Sequence, residues 1–296
     1  MHRRSTKKWV STAVMGIAVF AAQALGVAPA SATTIAPGSV QVVVAQIPFD
    51  NQPVKSFSAN CPAGQRVLGG GAFTVGGIHA VITEMQPIHA AAGDSFRVSA
   101  AADQFGIAGG WSFQVFAFCA SVPAALGLVI VPHPNLPTSA LSDRATAPCP
   151  AGKLLIGAGG KIDNGNGQVD LSLFTDNNGQ TATATQAFAK EDVDGFAGNY
   201  TLTSYSVCAV QFVAGDIQQL KTGVATVTAA NLSSTVACPS GLRLTGLAGG
   251  TTEPGTHMQR LSPRSTSGPN LADFGAQSSV PPSRGFSMET TLFCAR

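Results

Sequence analysis

Short runs of apolar residues, broken by Gly, Pro, Asn and Ser, recur along the chain from about residue 40 to its end. Runs of this kind, bounded by turn residues, are typical of β-strands, and no helical period is sustained. The pattern predicts an all-β fold with apolar lead-in strands near 40–44 and 128–131 and hairpin turns at Asn166-Gly167 and Asn178-Gly179. The remaining strands are predicted near 66–74, 79–86, 95–102, 111–119, 153–161, 168–175, 181–189, 199–208, 242–250, 257–262, 271–279 and 286–294.

The strands fall into three copies of one module. Each copy contains Cys-Pro, a small residue and Gly, then four residues and a glycine cluster, beginning at Cys61, Cys149 and Cys238. Each copy closes on an aromatic-rich strand that ends in Cys-Ala, and the opening cysteines lie 88 and 89 residues apart. After a short lead at 33–37, the repeats span 38–122, 127–211 and 215–296, and we expect them to share one core.

Every repeat contributes one opening and one closing cysteine. Six cysteines permit 15 pairings, but this arrangement in an exported chain favours pairing within each repeat. Each bond closes a loop of nearly 60 residues, worth about 4 kcal/mol in the chain-entropy model. No cysteine is then left for a catalytic thiol or a zinc site. The predicted disulfides are Cys61–Cys119, Cys149–Cys208 and Cys238–Cys294.

Three similar sheets can each bury one face against the other two, which predicts a β-prism with pseudo-threefold symmetry. The three Cys-Pro-x-Gly stretches that lead into Gly-bearing strands resemble those of the vitelline membrane outer layer proteins. This resemblance implies a β-prism fold and, by analogy, sugar binding or a structural coat role. A β-trefoil has shorter repeats, and three separate small sandwiches are the remaining alternative.

The first 32 residues have the parts of a secretory signal: a basic start, an apolar stretch at 9–27, and Ala30-Ser31-Ala32. Cleavage after Ala32 predicts a secreted, extracellular protein with no membrane span. An uncleaved anchor is the alternative, because the apolar stretch is just long enough to cross a bilayer. The richness in Ala, Gly and Thr favours a bacterial exported protein.

Removal of the signal changes the charge balance. Four of the 17 basic residues lie in the signal, so 13 remain against 15 acidic residues, a net charge of −2. This balance argues against nucleic acid or an anionic membrane as a partner. We therefore expect a binding protein for glycan or another cell-surface polymer. A secreted polysaccharide or cell-wall hydrolase and a structural coat or matrix component are the alternatives.

Candidate chemistry is sparse, and no catalytic motif is present, so we name no catalytic residue. His79 and His257 occupy equivalent places in the first and third repeats, where the second repeat has Gln168. Equivalent polar positions of this kind could line equivalent ligand sites or simply mark exposed strand starts. Loop amides and carboxylates add further candidate glycan ligands: Asp163, Asn164, Asn166, Asp176, Asn177 and Asn178.

The segment 190–195 alternates acidic side chains before a glycine. Asp192 and Asp194 could converge on a structural Ca²⁺, and the sequence indicates no other cofactor; an acidic solvated loop is the alternative. The same segment, from Glu191 to Asp194, is the candidate acid-base source for a hydrolase. After signal removal one Trp and two Tyr remain, namely Trp111, Tyr200 and Tyr205, and we expect these rings in the core rather than in a sugar site.

Overall fold

The computed structural model describes residues 35, 39–176, 181–227, 230–267, 269–279 and 285–296, with side chains at 225–227 left out. Residues Ser31–Arg296 form one compact unit. The predicted signal peptide lies outside the described residues, as does the predicted lead at 33–37 apart from Ile35. Within the described residues the chain is all-β, with one short 3-10 helix at Ala124–Leu126.

Each repeat contributes six strands in the same order. The first repeat contains β1 (Gln41–Gln46), β2 (Val54–Asn60), β3 (Arg66–Val75), β4 (Ala80–Ile88), β5 (Ser95–Ala102) and β6 (Ser112–Ala120). The second contains β7 (Val129–Pro134), β8 (Ser142–Pro148), β9 (Lys153–Asp163), β10 (Val169–Thr175), β11 (Ala184–Glu191) and β12 (Thr201–Val210). The third contains β13 (Ile217–Val227), β14 (Asn231–Ala237), β15 (Arg243–Thr251), β16 (Thr256–Pro263), β17 (Leu271–Ser278) and β18 (Phe286–Ala295).

The predicted strands match these elements to within a few residues, but the second strand of each repeat was missed. β2, β8 and β14 precede the Cys-Pro turns and each pairs with only the fifth strand of its repeat. Their inward positions include small residues such as Ala59, Ala145 and Ala147. Polar residues separate most of the apolar ones in each of these strands, so the sequence lacks the apolar run that marks the others.

All strand pairs are antiparallel and follow one plan. In every repeat the sixth strand lies between the first and the third, and the fifth lies between the second and the fourth. Ladders between repeats join β3 to β16 and β4 to β9. The described ladders therefore define four sheets, two with six strands and two with three, in a propeller-like ring rather than the three sheets of the predicted prism.

The ladders define four sheets rather than three because β10 and β15 lie side by side without a backbone ladder between them. The amide of Thr251 donates to the side-chain Oγ of Ser172 at 3.4 Å instead of to a backbone carbonyl. Gly250 faces the ring of Phe174 so closely that a Cβ on this glycine would collide with it. The aromatic side chain thus occupies the line along which the two strands would otherwise pair.

The three glycine-bearing strands β3, β9 and β15 meet in the interior. Each has a bulge at the equivalent residue, Leu68, Ile156 or Thr245. The next residue in each strand is glycine, and the added Cβ of Gly69 would lie 2.6 Å from the carbonyl oxygen of Thr245. Thr245 Oγ1 donates to the carbonyl of Ile156 at 2.7 Å. The repeats therefore approach one another backbone to backbone, which side chains at these positions would prevent.

The three disulfides pair as predicted, each within one repeat. Their Cα atoms are 5.6 to 5.8 Å apart and their half-cystines are 56 to 59 residues apart in sequence. Each bond ties the turn before the third strand to the end of the sixth strand. No free cysteine is present among the described residues.

Candidate functional site

The two predicted histidines lie in a group of polar side chains where the repeats meet. We call this group the junction cluster; it comprises His79, Asp103, Asp170, Asp192, Asp194 and His257. Nδ1 of His79 is 2.6 Å from Oδ2 of Asp103. Nδ1 of His257 is 2.8 Å from Oδ1 of Asp170, which belongs to a different repeat. The two histidines that occupy equivalent places in the sequence therefore lie in the same cluster. Their carboxylate partners differ, however, because His79 pairs within its own repeat and His257 pairs with another repeat.

The repeat plan explains why one carboxylate of the cluster has no histidine. Asp103 and Asp192 occupy equivalent places, since the Asp103 amide donates to the His79 carbonyl and the Asp192 amide donates to the Gln168 carbonyl. Gln168 stands where the first repeat has His79, so Asp192 lacks the imidazole that Asp103 has. Both carboxylate oxygens of Asp192 are buried, and among the described residues neither has a partner in good hydrogen-bond geometry.

The electrostatics of the cluster follow from burial and from these neighbours. Burial disfavours a charged imidazole, but the carboxylates of Asp170 and Asp103 outweigh that effect and raise the pKa of His257. Burial, with the carboxylate of Asp194 beside it, raises the pKa of Asp192 to about 7. The surroundings therefore favour the protonated form of the His257 imidazole and of the Asp192 carboxyl.

The predicted calcium residues fall in this cluster. Asp194 accepts a hydrogen bond from Nε2 of Gln104 at 2.7 Å, which connects the second repeat to the first. Within the described part of the chain, no group of three or more His, Cys, Asp or Glu side chains is placed to hold a metal ion. The calcium site at Asp192 and Asp194 stays a prediction.

The predicted loop ligands do not gather in one place. Asp163 pairs with Lys161 at 2.6 Å, and Asn164 and Asn166 both have positive φ in the turn before β10. The positive φ of Asn166 and of Gly167 is that of the predicted Asn-Gly turn, but the predicted hairpin is wrong, because the strands that the turn joins, β9 and β10, lie in different sheets. Asp176 accepts hydrogen bonds from the amide and hydroxyl of Thr183. Asn177 and Asn178 lie outside the described residues.

An open groove of about 840 Å³ lies between the sheet that contains β10 and β11 and the sheet that contains β13 and β18. We call it the Phe174 groove; the lining residues used below are Phe174, Gln186, Phe188, Lys221, Ser287 and Glu289. The rings of Phe174 and Phe188 meet edge to face, with centroids 5.3 Å apart. Both rings are half-buried, so each presents part of its surface to the groove. Asp176, a predicted ligand residue, also lines it.

The remaining wall of the Phe174 groove is polar. Lys221 and Glu289 form an ion pair at 2.8 Å on the side made by β13 and β18. On the aromatic wall, Gln186 lies directly opposite Phe174 in the ladder of β10 and β11 and adds an amide beside the ring. An apolar aromatic wall facing hydroxyl, amide and charged groups is an arrangement that can hold a molecule with one apolar and one polar face.

A second groove of about 380 Å³ crosses β14, β16 and β17 on another sheet. We call it the Arg260 groove; its lining includes Phe73, Asn231, Ser233, Arg260, Arg264 and Gln277. A neighbouring cavity of about 540 Å³ shares Phe73, Gln259 and Gln277 with it and is also lined by His79. The predicted histidine His79 therefore faces this cavity.

The predicted burial of the Trp and Tyr rings is correct. Trp111 and Tyr200 are inaccessible and Tyr205 is 9% exposed. The groove aromatics Phe174 and Phe188 were not predicted as site residues. The alternation in β10 could have found one of them, since Leu171 and Leu173 face inward and Phe174 must then face outward.

Comparison with protein-family models gives no match, and comparison with curated proteins gives no match. No helix among the described residues combines the length and the apolar character needed to cross a membrane.

Proposed function

We propose that the protein is an exported, non-enzymatic binding protein for glycan or another extracellular polymer, and that the polymer binds in the Phe174 groove. The observation that carries this proposal is the pairing of half-buried aromatic rings with a polar wall. A sugar ring has an apolar face of C–H groups and a rim of hydroxyls, so it complements both walls at once.

The open shape of the groove supports a polymer rather than a small enclosed ligand. The groove follows the line between two sheets and is open to solvent instead of closing into a pocket. Three disulfides support export, because such bonds persist in oxidising compartments. Export is also what the signal-like first 32 residues predict.

We also propose that the four sheets are a distorted pseudo-threefold prism. The side-by-side packing of β10 and β15 is the third counterpart of the β4–β9 and β16–β3 ladders. Pairing across that gap would give three six-stranded faces. In this arrangement one face of the prism is divided into two three-stranded sheets, and the Phe174 groove lies between them.

The test is a glycan array probed with the oxidised secreted protein, followed by titration of each hit. We expect Phe188→Ala to weaken binding by about tenfold, equivalent to about 1.4 kcal/mol. Gln186→Ala, which removes a polar group from the same wall, should also weaken binding. Phe57→Ala is the matched control, because Phe57 is 38% exposed and lies on β2 of another sheet. Unchanged affinity in both groove variants would overturn the assignment of the site.

The raised pKa of Asp192 favours a hydrolase as the second candidate. A carboxyl that titrates near neutrality beside a second carboxylate is the pattern used by general acids in polysaccharide hydrolysis. Asp192 lines neither of the two grooves, which is why binding is our first proposal. A panel of polysaccharide substrates decides between the two functions. Turnover that disappears in Asp192→Asn would show that the protein is a hydrolase rather than a binding protein.

A further inference from the structure

Arg260 lies on the outer side of β16, next to the only described backbone ladder between the first and third repeats. It faces Phe73 of β3 in that ladder, and its guanidinium carbon is 4.0 Å from the centre of the Phe73 ring. On the other side it faces Gly275 of β17, whose lack of a side chain leaves room for the Arg260 stem. The guanidinium is therefore held against an aromatic ring at the wall of the groove.

The charge of Arg260 has no partner in the described part of the chain. Arg66, Arg97, Arg264 and Arg296 each have a carboxylate within 4 Å. Arg260 has neither an ion pair nor a hydrogen bond to any described residue, and its Nε–H is buried without an acceptor. A charged guanidinium without a partner is costly, and because Arg260 lines the groove, an acceptor from outside the protein can reach this side chain.

The surroundings favour an anion over a neutral acceptor. Arg264 lines the same groove and is 59% exposed, so it adds a second positive charge. Asp273 is the acidic residue in the lining; it accepts a hydrogen bond from Thr235 at 2.8 Å and lies 3.8 Å from Arg264. Its charge is thus partly offset, and the groove has a net positive charge. Asn231, Ser233 and Gln277 supply neutral polar groups beside the two arginines.

We propose that the Arg260 groove is a binding site for an anionic oxygen group, a carboxylate, sulfate or phosphate, carried by an extracellular ligand. The planar guanidinium matches two oxygens of such a group in a fork, which a lysine could not do. The cavity lined by His79 continues from the groove, so the rest of the ligand can extend across β3 and β16. This site is on a different sheet from the Phe174 groove and does not depend on it.

The experiment observes the Arg Nε–H signals of the ¹⁵N-labelled oxidised protein while three probes are added separately. The probes are glucuronate, glucose 6-phosphate and glucose. We expect the Arg260 Nε–H signal to shift with the two anions and to stay in place with glucose. The affinities of the protein for the two anions should differ, and the tighter one identifies the anionic group that the site prefers. A signal that does not move with either anion, or that moves equally with glucose, overturns the proposal.

Variants test the role of the guanidinium. Arg260→Gln should lower the affinity for the preferred anion by about ten- to a hundredfold, and Arg260→Lys should restore only part of the loss. Arg243→Gln is the matched control, because Arg243 lies at the start of β15, outside the groove lining. Equal loss in the control would show non-specific attraction and contradict the proposal. Failure of Phe188→Ala to affect glycan binding would leave this result unchanged, so the two proposals fail separately.

Discussion

His257 in the third repeat and Asp170 in the second repeat form a buried imidazole–carboxylate pair, with Nδ1 of the histidine 2.8 Å from Oδ1 of the aspartate. Both side chains are about 5% exposed. The pair lies beside the Asp103 carboxylate of the first repeat, which also raises the pKa of His257. Carboxylates from both other repeats therefore favour the protonated form of the His257 imidazole.

The first prediction concerns the pH dependence of this pair. A group with a raised pKa in the folded state stabilises the fold fully below its unfolded pKa, near 6.5, and loses that contribution as pH rises through the folded value. His257→Asn keeps a donor for Asp170 but removes the charge. We expect it to lower the free energy of unfolding by about 1.5–3 kcal/mol at pH 5 and by less at pH 9. Urea denaturation at both pH values measures the difference.

His133→Asn is the control for this series, because His133 is exposed in β7. It should leave stability nearly unchanged at both pH values. A His257→Asn variant that is equally destabilised at pH 5 and pH 9 would mean that the imidazole contributes by packing and not by charge.

The second prediction concerns Asp192, whose pKa is raised to about 7. Ionisation of this carboxyl in the folded state is unfavourable, so its contribution to stability is present below about pH 4 and is lost as pH rises through 7. Asp192→Asn keeps the side chain neutral at every pH. The variant should therefore melt at a higher temperature than the original protein at pH 8 and at the same temperature at pH 4.

Asp163→Asn is the matched control, since Asp163 forms a surface pair with Lys161 and such pairs contribute little. A lower melting temperature for Asp192→Asn at pH 8 would show that the ionised carboxylate is stabilised by a partner, which is what a bound cation at Asp192 and Asp194 would do.

The sequence predicted the elements that repeat and missed the contacts that differ between repeats. The cysteine spacing identified the disulfides, and the comparison of copies found His79 and His257. It could not find Asp170 as the partner of His257, because that contact joins different repeats and depends on how strands from two sheets approach. The split beside Phe174 was also out of reach, since the second repeat has the same strand pattern as the others. The physical reason is that periodicity reports which face a residue occupies, not which strand lies beside it.

The third prediction tests the meeting of β3, β9 and β15. A Cβ on Gly157 would collide with the carbonyl oxygen of Leu68, and backbone cannot move aside as a side chain can. Gly157→Ala should lower the free energy of unfolding by about 3 kcal/mol. Gly223→Ala is the control, because nothing lies within 4 Å of its added Cβ. Similar stability in the two variants would contradict the close approach of these strands.

The last prediction concerns cooperativity. The interior is shared, because Gly69, Gly157 and Gly246 come from three repeats and lie within contact of one another. The disulfide Cys149–Cys208 belongs to the second repeat alone, but its loss should destabilise all three. We expect Cys149→Ser combined with Cys208→Ser to lower the stability of the whole chain by up to about 4 kcal/mol.

Calorimetry on the oxidised protein and on this double variant measures the effect. A single transition that shifts to lower temperature as a whole is the expected result, since a repeat that unfolded alone would expose the core faces of its two neighbours. The variant that loses Cys61–Cys119 in the first repeat should behave in the same way, because the repeats occupy equivalent places. Three separable transitions, of which only one moves with each disulfide, would show three independent modules and would overturn both the shared interior and the proposed prism.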